Sequence, residues 1–169
     1  MARRPGDLRI EPLARAHARA DFNSGAEELD GYLRDQAGQD IRRRVAAVFV
    51  AIDANRVVGY YTLSAAAIEL ADLPEDLAHR LPRYPHVPAT LLGRLAIDNS
   101  WQGKGLGERL LIDALMRSLR SAIASYAVVV DARDEAAASF YSRYGFQALG
   151  RSGRRLFLPM ATVARLPQA

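Results

Sequence analysis

The chain has 169 residues, half of them hydrophobic and a quarter charged, with a net charge of +4 and no cysteine. That profile implies one ordinary globular domain over residues 1–169, with its core roughly at 8–160, and excludes disordered and fibrous classes. The lack of cysteine removes disulfide scaffolds, thiol nucleophiles and thiolate metal sites. No apolar run approaches the ~18 residues of a membrane span and none forms a secretory signal, so a cytoplasmic protein without membrane association is expected.

Arginine makes up 22 of the 23 basic residues, and Lys104 is the single lysine. The planar guanidinium donates two parallel hydrogen bonds to a phosphate, so the composition fits an anionic partner. A coding bias towards alanine and arginine gives the same excess with no such partner.

In chain order, the alternation from Leu8 to Leu13 predicts an opening strand. Ser24-Gly25-Ala26-Glu27 has the form of a capping box, and Ala26, Leu29, Leu33 and Ala37 follow at helical spacing, which predicts an amphipathic helix. Val45–Ile52 and Arg56–Leu63 read as a hairpin joined by Asp53-Ala54-Asn55. Between Ser64 and Pro88, Leu73-Pro74-Glu75 opens a short helix. Pro82, Pro85 and Pro88 argue against regular structure, so the stretch reads as a variable, substrate-facing insertion. Ala89–Asp98 returns as a strand and Gln102–Gly107 as a glycine-rich turn. Leu106, Leu110, Leu111, Ala114, Leu115 and Leu119 then mark the apolar stripe of a strong helix. Tyr126–Asp131 is a nearly continuous apolar strand of the buried kind, Asp134–Tyr144 a helix stopped by Gly145, and Arg155–Pro159 a last strand. There is no internal repeat or low-complexity stretch.

The sharpest local signal is Asp98-Asn99-Ser100-Trp101-Gln102-Gly103-Lys104-Gly105-Leu106-Gly107, where a strand passes through alternate glycines into a helix. Such a turn presents bare N–H groups and the positive end of the helix to one point, which suits a pyrophosphate. A Walker loop requires Gly-Lys-Ser/Thr, and Lys104 is followed by Gly105, so that spacing fails. A dinucleotide fingerprint needs a third glycine where Glu108 stands, although Asp131 at the end of the next strand imitates the ribose-binding acid. A plain connecting turn stays open from the loop alone. Phe140, Tyr141 and Tyr144, at helical spacing, read equally as packing aromatics. His17, His79 and His86 lack metal-ligand spacing and are expected on the surface or in loops, with no metal site.

The loop closely resembles the coenzyme A loop of the GNAT N-acetyltransferase family, Gln/Arg-x-x-Gly-x-Gly/Ala, met by Gln102, Gly105 and Gly107 directly after the strand Leu92–Asp98. A second family signature is Asn-x-x-Ala-x-x-aromatic-Tyr with Gly-Phe following. It is met downstream by Asp134, Ala137, Phe140, Tyr141, Gly145 and Phe146, with aspartate in the place of asparagine. The resemblance implies an α/β (α+β) fold with a central mixed, mostly antiparallel sheet, splayed between its middle strands and flanked by helices. It implies an acetyl-CoA-dependent N-acetyltransferase, an acyltransferase that needs no metal. The coenzyme-binding residues it implies are Leu95, Ile97, Gln102, Gly103, Lys104, Gly105, Leu106, Gly107, Glu108 and Asp134. The N–H of Ile97 would face the thioester oxygen, and Tyr141 would protonate the leaving thiolate as general acid. No general base stands out; Glu69, Asp98 and Glu108 qualify by type alone.

Further segments carry a narrower resemblance. Phe22-Asn23-Ser24-Gly25, Leu29–Leu33, Val58–Ser64, Arg83-Tyr84-Pro85, Leu91–Asp98 and Leu156–Met160 are together similar to the acetyltransferase toxins of toxin–antitoxin modules, the TacT and AtaT type. That resemblance implies acetylation of the α-amino group of aminoacyl-tRNA, which blocks translation. It also implies neutralisation by a ribbon-helix-helix antitoxin, contact with operator DNA only through that antitoxin, and a homodimer. A basic surface is then required for the acceptor stem. Arg42, Arg43, Arg44, Arg83 and Arg94 are its candidates, with Arg80, Arg151, Arg154 and Arg155 as further supply. A general acetyltransferase acting on a small amine or a protein amine is the alternative, and a catalytically idle acyl-CoA-binding module is a third.

Overall fold

A computed structural model describes residues 2–167. The strands are β1 (Arg9–Pro12), β2 (Ala47–Asp53), β3 (Arg56–Glu69), β4 (His86–Ile97), β5 (Ala127–Asp131), β6 (Gln147–Ala148) and β7 (Arg155–Pro159). The α-helices are α1 (Glu27–Gly31), α2 (Ala37–Arg42), α3 (Glu75–Ala78), α4 (Leu106–Arg120), α5 (Glu135–Arg143) and α6 (Met160–Val163). The strands form one mixed sheet in the order β1-β2-β3-β4-β5-β7-β6, with β1–β2, β2–β3, β5–β7 and β6–β7 antiparallel and β4–β5 parallel. The β4–β5 ladder pairs Ala89–Leu92 with Ala127–Val130 and stops there, leaving the Gly93–Ile97 half of β4 outside it. This is the α/β architecture expected of the family resemblance.

The chain groups into two compact units, Met1–Ser64 with Gly93–Ala114, and Ala65–Leu92 with Leu115–Ala169. In the first, Phe22, Leu33, Val50, Val57 and Tyr60 form a core to which β2, β3 and the α1–α2 segment each contribute. Alternation along β2 buries Val48 and Val50, and burial of each such side chain stabilises by about 1.5–3 kcal/mol. The β2–β3 hairpin closes on two residues: Asp53 pairs with Arg56, and Ala54 and Asn55 both have positive φ, 49° and 69°. That is the conformation of a type I′ turn, whose twist matches the strands; Asn55 suits it, and its side chain also donates to the Ala16 carbonyl at 2.9 Å.

In the second unit, β5 is buried over Ala127–Val130, and Ile68, Val87, Ala89, Val129, Leu149 and Phe157 make a separate core. Of the apolar stripe expected on α4, Leu106, Leu110, Leu111 and Ala114 are buried in the first unit and Leu115 in the second, where Leu119 is partly buried.

Two expectations from the sequence are corrected. The first concerns the capping box at Ser24 and Glu27, which does not form. Ala26 occupies the N-cap with no side-chain bond, and both the N–H and the hydroxyl of Ser24 donate to buried Asp30 instead. The helix is also not continuous, because Tyr32–Gln36 form a π-helical turn between α1 and α2. Second, the Ser64–Pro88 stretch is more regular than its prolines suggest, since β3 continues to Glu69 and β4 begins at His86. Pro88 is tolerated in β4 because its pairing uses only its carbonyl, which accepts the Tyr126 N–H at 2.8 Å. His17 lies in the loop after β1, as expected, with its side chain largely buried. Its Nδ1 accepts the Ala14 N–H, and Nε2–H donates to Glu11 at 2.8 Å.

Candidate active site

In the first unit the glycine loop is held from behind by Asp98, the residue that follows β4. Asp98 is 3% exposed. One carboxylate oxygen accepts the Asn23 N–H at 2.9 Å and Nη2 of Arg56 at 3.2 Å, and the other accepts the N–H and hydroxyl of Ser100. Burial pushes this carboxyl up, but the Ser100 hydroxyl, the two N–H groups and Arg56 together outweigh it and hold Asp98 below the ordinary carboxylate value. Both oxygens are thus occupied, so Asp98 is a loop anchor and not the general base its residue type allowed. Glu69 lies exposed at the end of β3, and Glu108 is exposed on α4.

Gln102 is a second anchor. Its side-chain amide donates to the carbonyls of Ser24 at 2.8 Å and Ile97 at 3.0 Å, tying the loop to the end of β4 and to the entry of α1. The family signature places a glutamine here as a coenzyme contact; in this chain its amide holds the loop's shape. Gly103 and Gly105 then take φ of +74° and +87°, and a Cβ on either would meet no atom within 4 Å. Both therefore present open backbone in a conformation that side chains disfavour. The first intrahelical bond of α4 runs from Arg109 N–H to the Gly105 carbonyl at 3.2 Å. The N–H groups of Leu106, Gly107 and Glu108 consequently have no intrahelical acceptor, and they sit at the positive end of a helix 15 residues long. A diphosphate fits this arrangement. Leu106 contributes through its N–H only, since its side chain is buried, and Lys104 turns back over Trp101, its Nζ 5.2 Å from the ring centroid. Leu95 and Ile97 are half-buried on β4.

Gly59 on β3 sets the approach of these parts within the unit. A Cβ there would stand 2.9 Å from Leu110 and 3.3 Å from both Ile97 and Leu106, so only glycine lets β4 and the start of α4 close on β3.

In the second unit, α5 begins at Asp134, whose carboxylate accepts the Ala137 N–H at 2.8 Å. Asparagine and aspartate cap a helix about equally well, which explains the departure from the family signature in local terms. Tyr141, two turns further on, lies between Phe140 and Phe146 at ring separations of 5.3 and 5.4 Å. It is 8% exposed, and burial pushes its phenol up to about 12. The other buried tyrosines all have hydroxyl partners: Tyr32 donates to Asp40, Tyr60 to the Leu29 carbonyl and Tyr61 to Asp113. The Tyr141 hydroxyl has none among the described residues. The Tyr141 oxygen is not among the buried polar atoms left unpaired, so the ring is packed while the hydroxyl stays reachable, and this separates Tyr141 from the core tyrosines whose hydroxyls are all engaged.

The arginines divide. Arg42, Arg43, Arg44 and Arg83 are exposed. Arg94 stacks over Tyr32 with its guanidinium 3.7 Å from the ring centroid, and its N–H donates to buried Thr62. Arg155 is paired with Asp131 at 2.9 Å, whereas Arg154 is exposed, donates to the Arg133 carbonyl at 2.8 Å and keeps its charge. Among the described residues no group of three or more histidines, aspartates and glutamates could hold a metal ion, and no helix is long and apolar enough to cross a membrane.

In the first unit an open glycine turn at a helix start, and in the second a packed tyrosine with a reachable, unpaired hydroxyl, are each of the kind an acyl-CoA-dependent acyltransferase requires. A model of the acetyltransferase (GNAT) domain matches residues 44–148, and the chain belongs to this family of N-acetyltransferases. It is 38% identical over 128 residues to a tRNA-acetylating toxin of Mycobacterium tuberculosis, covering 75% of this chain and 76% of the relative. The structure of AtaT complexed with acetyl-methionyl-tRNAfMet matches with a TM-score of 0.88 and 30% identity, over 94% of this chain and 98% of that one. A tyrosine-to-phenylalanine mutant of AtaT bound to the C-terminus of the antitoxin AtaR and acetyl-CoA matches with a TM-score of 0.78 and 27% identity, over 93% and 96% of the two chains.

Proposed function

We propose that the chain is a toxin that uses acetyl-CoA to acetylate the α-amino group of an aminoacyl-tRNA and so stops translation. The observation that carries this reading is the likeness, over 94% of the chain, to AtaT complexed with acetyl-methionyl-tRNA. The identity to a tRNA-acetylating toxin supports it.

The chemistry assigns the residues as follows. The N–H groups of Leu106, Gly107 and Glu108, with the open backbone at Gly103 and Gly105, bind the coenzyme's diphosphate. The N–H of Ile97 stabilises the oxyanion as the neutral amine adds to the thioester carbon, a contribution of about 10²–10³ in rate for one such donor. The adduct then loses the coenzyme thiolate and the proton on nitrogen, leaving an amide and a free thiol. With its phenol pushed up to about 12, Tyr141 is neutral at every physiological pH and always a donor. A thiol of ordinary pKa, about 8.5, gives a weaker base than that phenolate, so Tyr141 hydrogen-bonds the sulfur as charge develops, and the proton lost from nitrogen balances the step. An α-amine with a pKa of about 7.7–8.0 is already partly neutral at pH 7.5, so the mechanism needs no strong base.

The same reading gives the chain an antitoxin partner of the ribbon-helix-helix type, operator DNA through that partner, a homodimeric state and the cytoplasm as its place of action. The test is a reconstituted translation reaction. Addition of the protein arrests synthesis only when acetyl-CoA is present and not when Tyr141→Phe replaces the wild type; arrest independent of acetyl-CoA, or no arrest, rejects the proposal.

A further inference from the structure

The segment between β1 and α1 meets α2 in a pocket of about 280 Å³ lined by Leu13, Arg15, Arg19, Gly38, Ile41 and Arg42 among others. Three arginines line it, and none of these side chains has a hydrogen bond or ion pair with another described residue. Two of the three converge on one point: a Cβ on Gly38 would stand 3.3 Å from Nη1 of Arg42 and 3.8 Å from Nη2 of Arg19. On the same planar head, Nη1 of Arg19 is buried with no acceptor. Arg42 is exposed and Arg19 partly buried, but a buried guanidinium nitrogen normally has a partner, and like charges brought together without a carboxylate repel each other. An anion bridging the guanidiniums offsets both, and the planar forks suit the paired oxygens of a phosphate or a carboxylate.

The walls say what carries that anion. Leu13 and Ile41 are apolar, and the volume is near the lower limit for small-molecule sites, larger than a bare oxyanion needs. A phosphate with its attached sugar fills it, the sugar against Leu13 and Ile41. We infer that this pocket binds one backbone phosphate of the tRNA with its ribose, a contact outside the coenzyme loop. The inference rests on the tRNA reading above.

The test is direct binding of a short fluorescent RNA hairpin with a CCA end to the full chain across a salt series, with inorganic phosphate and acetyl-CoA measured in parallel. Arg19→Gln should weaken hairpin binding about tenfold, the loss of one charge-assisted contact, and lower the slope of log affinity against log salt by about one. Its Tm and acetyl-CoA affinity should not change. Arg15→Gln, at an exposed position, should shift the hairpin the same way and guards against a folding defect at Arg19. Unchanged affinity and slope in both variants overturn the pocket, even if the wild type acetylates charged tRNA. Inorganic phosphate that binds through Arg19 without displacing the hairpin overturns the RNA as the source of the phosphate. Conversely, hairpin binding lost in both variants, by a chain that acetylates no charged tRNA, supports the pocket and rejects the toxin reading alone.

Discussion

Asp98→Asn removes one charge and changes almost no volume, yet the geometry makes it costly. One oxygen of Asp98 accepts from Asn23 N–H and Arg56, and the other accepts twice from Ser100. An asparagine presents an acceptor on one side only, so whichever way its amide lies, two of the four donors face an NH₂ group. Because the site is buried, those donors cannot turn to water, and hydrogen bonds to a charged group contribute about 1.5–3 kcal/mol each. Arg56 is 44% exposed and recovers solvation, which lowers the sum, and a loss of about 3 kcal/mol is expected. For a chain of this size that corresponds to a fall in Tm of about 6–12 °C. The carboxyl is held below its ordinary value in the folded state, so its stabilisation is complete above the unfolded pKa of about 3.9 and is lost as pH falls through the folded value. The variant should therefore differ most from wild type near neutral pH and converge with it in acid. Urea unfolding at pH 7 and pH 3 measures both; a difference below about 1 kcal/mol at pH 7, or one that grows in acid, refutes the anchor role.

Tyr141→Phe should lower kcat by about 10²–10⁴ while acetyl-CoA affinity measured by calorimetry stays within about twofold, and an unchanged kcat removes the role of its hydroxyl as donor to the sulfur. Because burial holds the phenol near 12, the wild-type rate should rise with pH as the amine deprotonates through about 7.7–8.0 and then show no fall up to pH 10; a descending limb near 10 would mean an unshifted phenol. Gly105→Glu fills the open face above a backbone at φ +87° and should abolish acetyl-CoA binding, with normal affinity by calorimetry counting against the loop as its site. Gly59→Ala forces Leu110, Ile97 and Leu106 to move, which should cost about 1–3 kcal/mol in unfolding experiments and raise KM for acetyl-CoA; a neutral substitution would show that β3, β4 and α4 adjust without strain.

What the sequence made legible follows its strongest periodicities. The stripe from Leu106 to Leu115, the buried run of β5 and the hairpin at Ala54-Asn55 each rest on a local pattern, and each formed. Failures came where distant contacts override local signals. Pro88 argued against a strand because prolines lack a donor, but the strand uses its carbonyl alone. The π-helical turn at Tyr32–Gln36 follows no helical period; it sits where Tyr32 binds Asp40 and stacks under Arg94. At the site, the glycine loop was readable because its conformation is local. The anchoring by Asp98 was not, since Asn23 and Arg56 are far away in sequence, although Asp-Asn-Ser directly before the loop is a capping sequence that could have indicated it. Arg15 and Arg19 were missed for the same reason: only the fold brings them to Arg42.

The central claim is tested most directly by transfer of labelled acetyl from acetyl-CoA to a pool of charged tRNA, with uncharged tRNA, polyamines and lysine peptides as rival acceptors. The account predicts label on the aminoacyl group of charged tRNA alone, absent with Tyr141→Phe. Label on polyamines or peptides, with charged tRNA unmodified, would contradict it and leave an acetyltransferase of another acceptor.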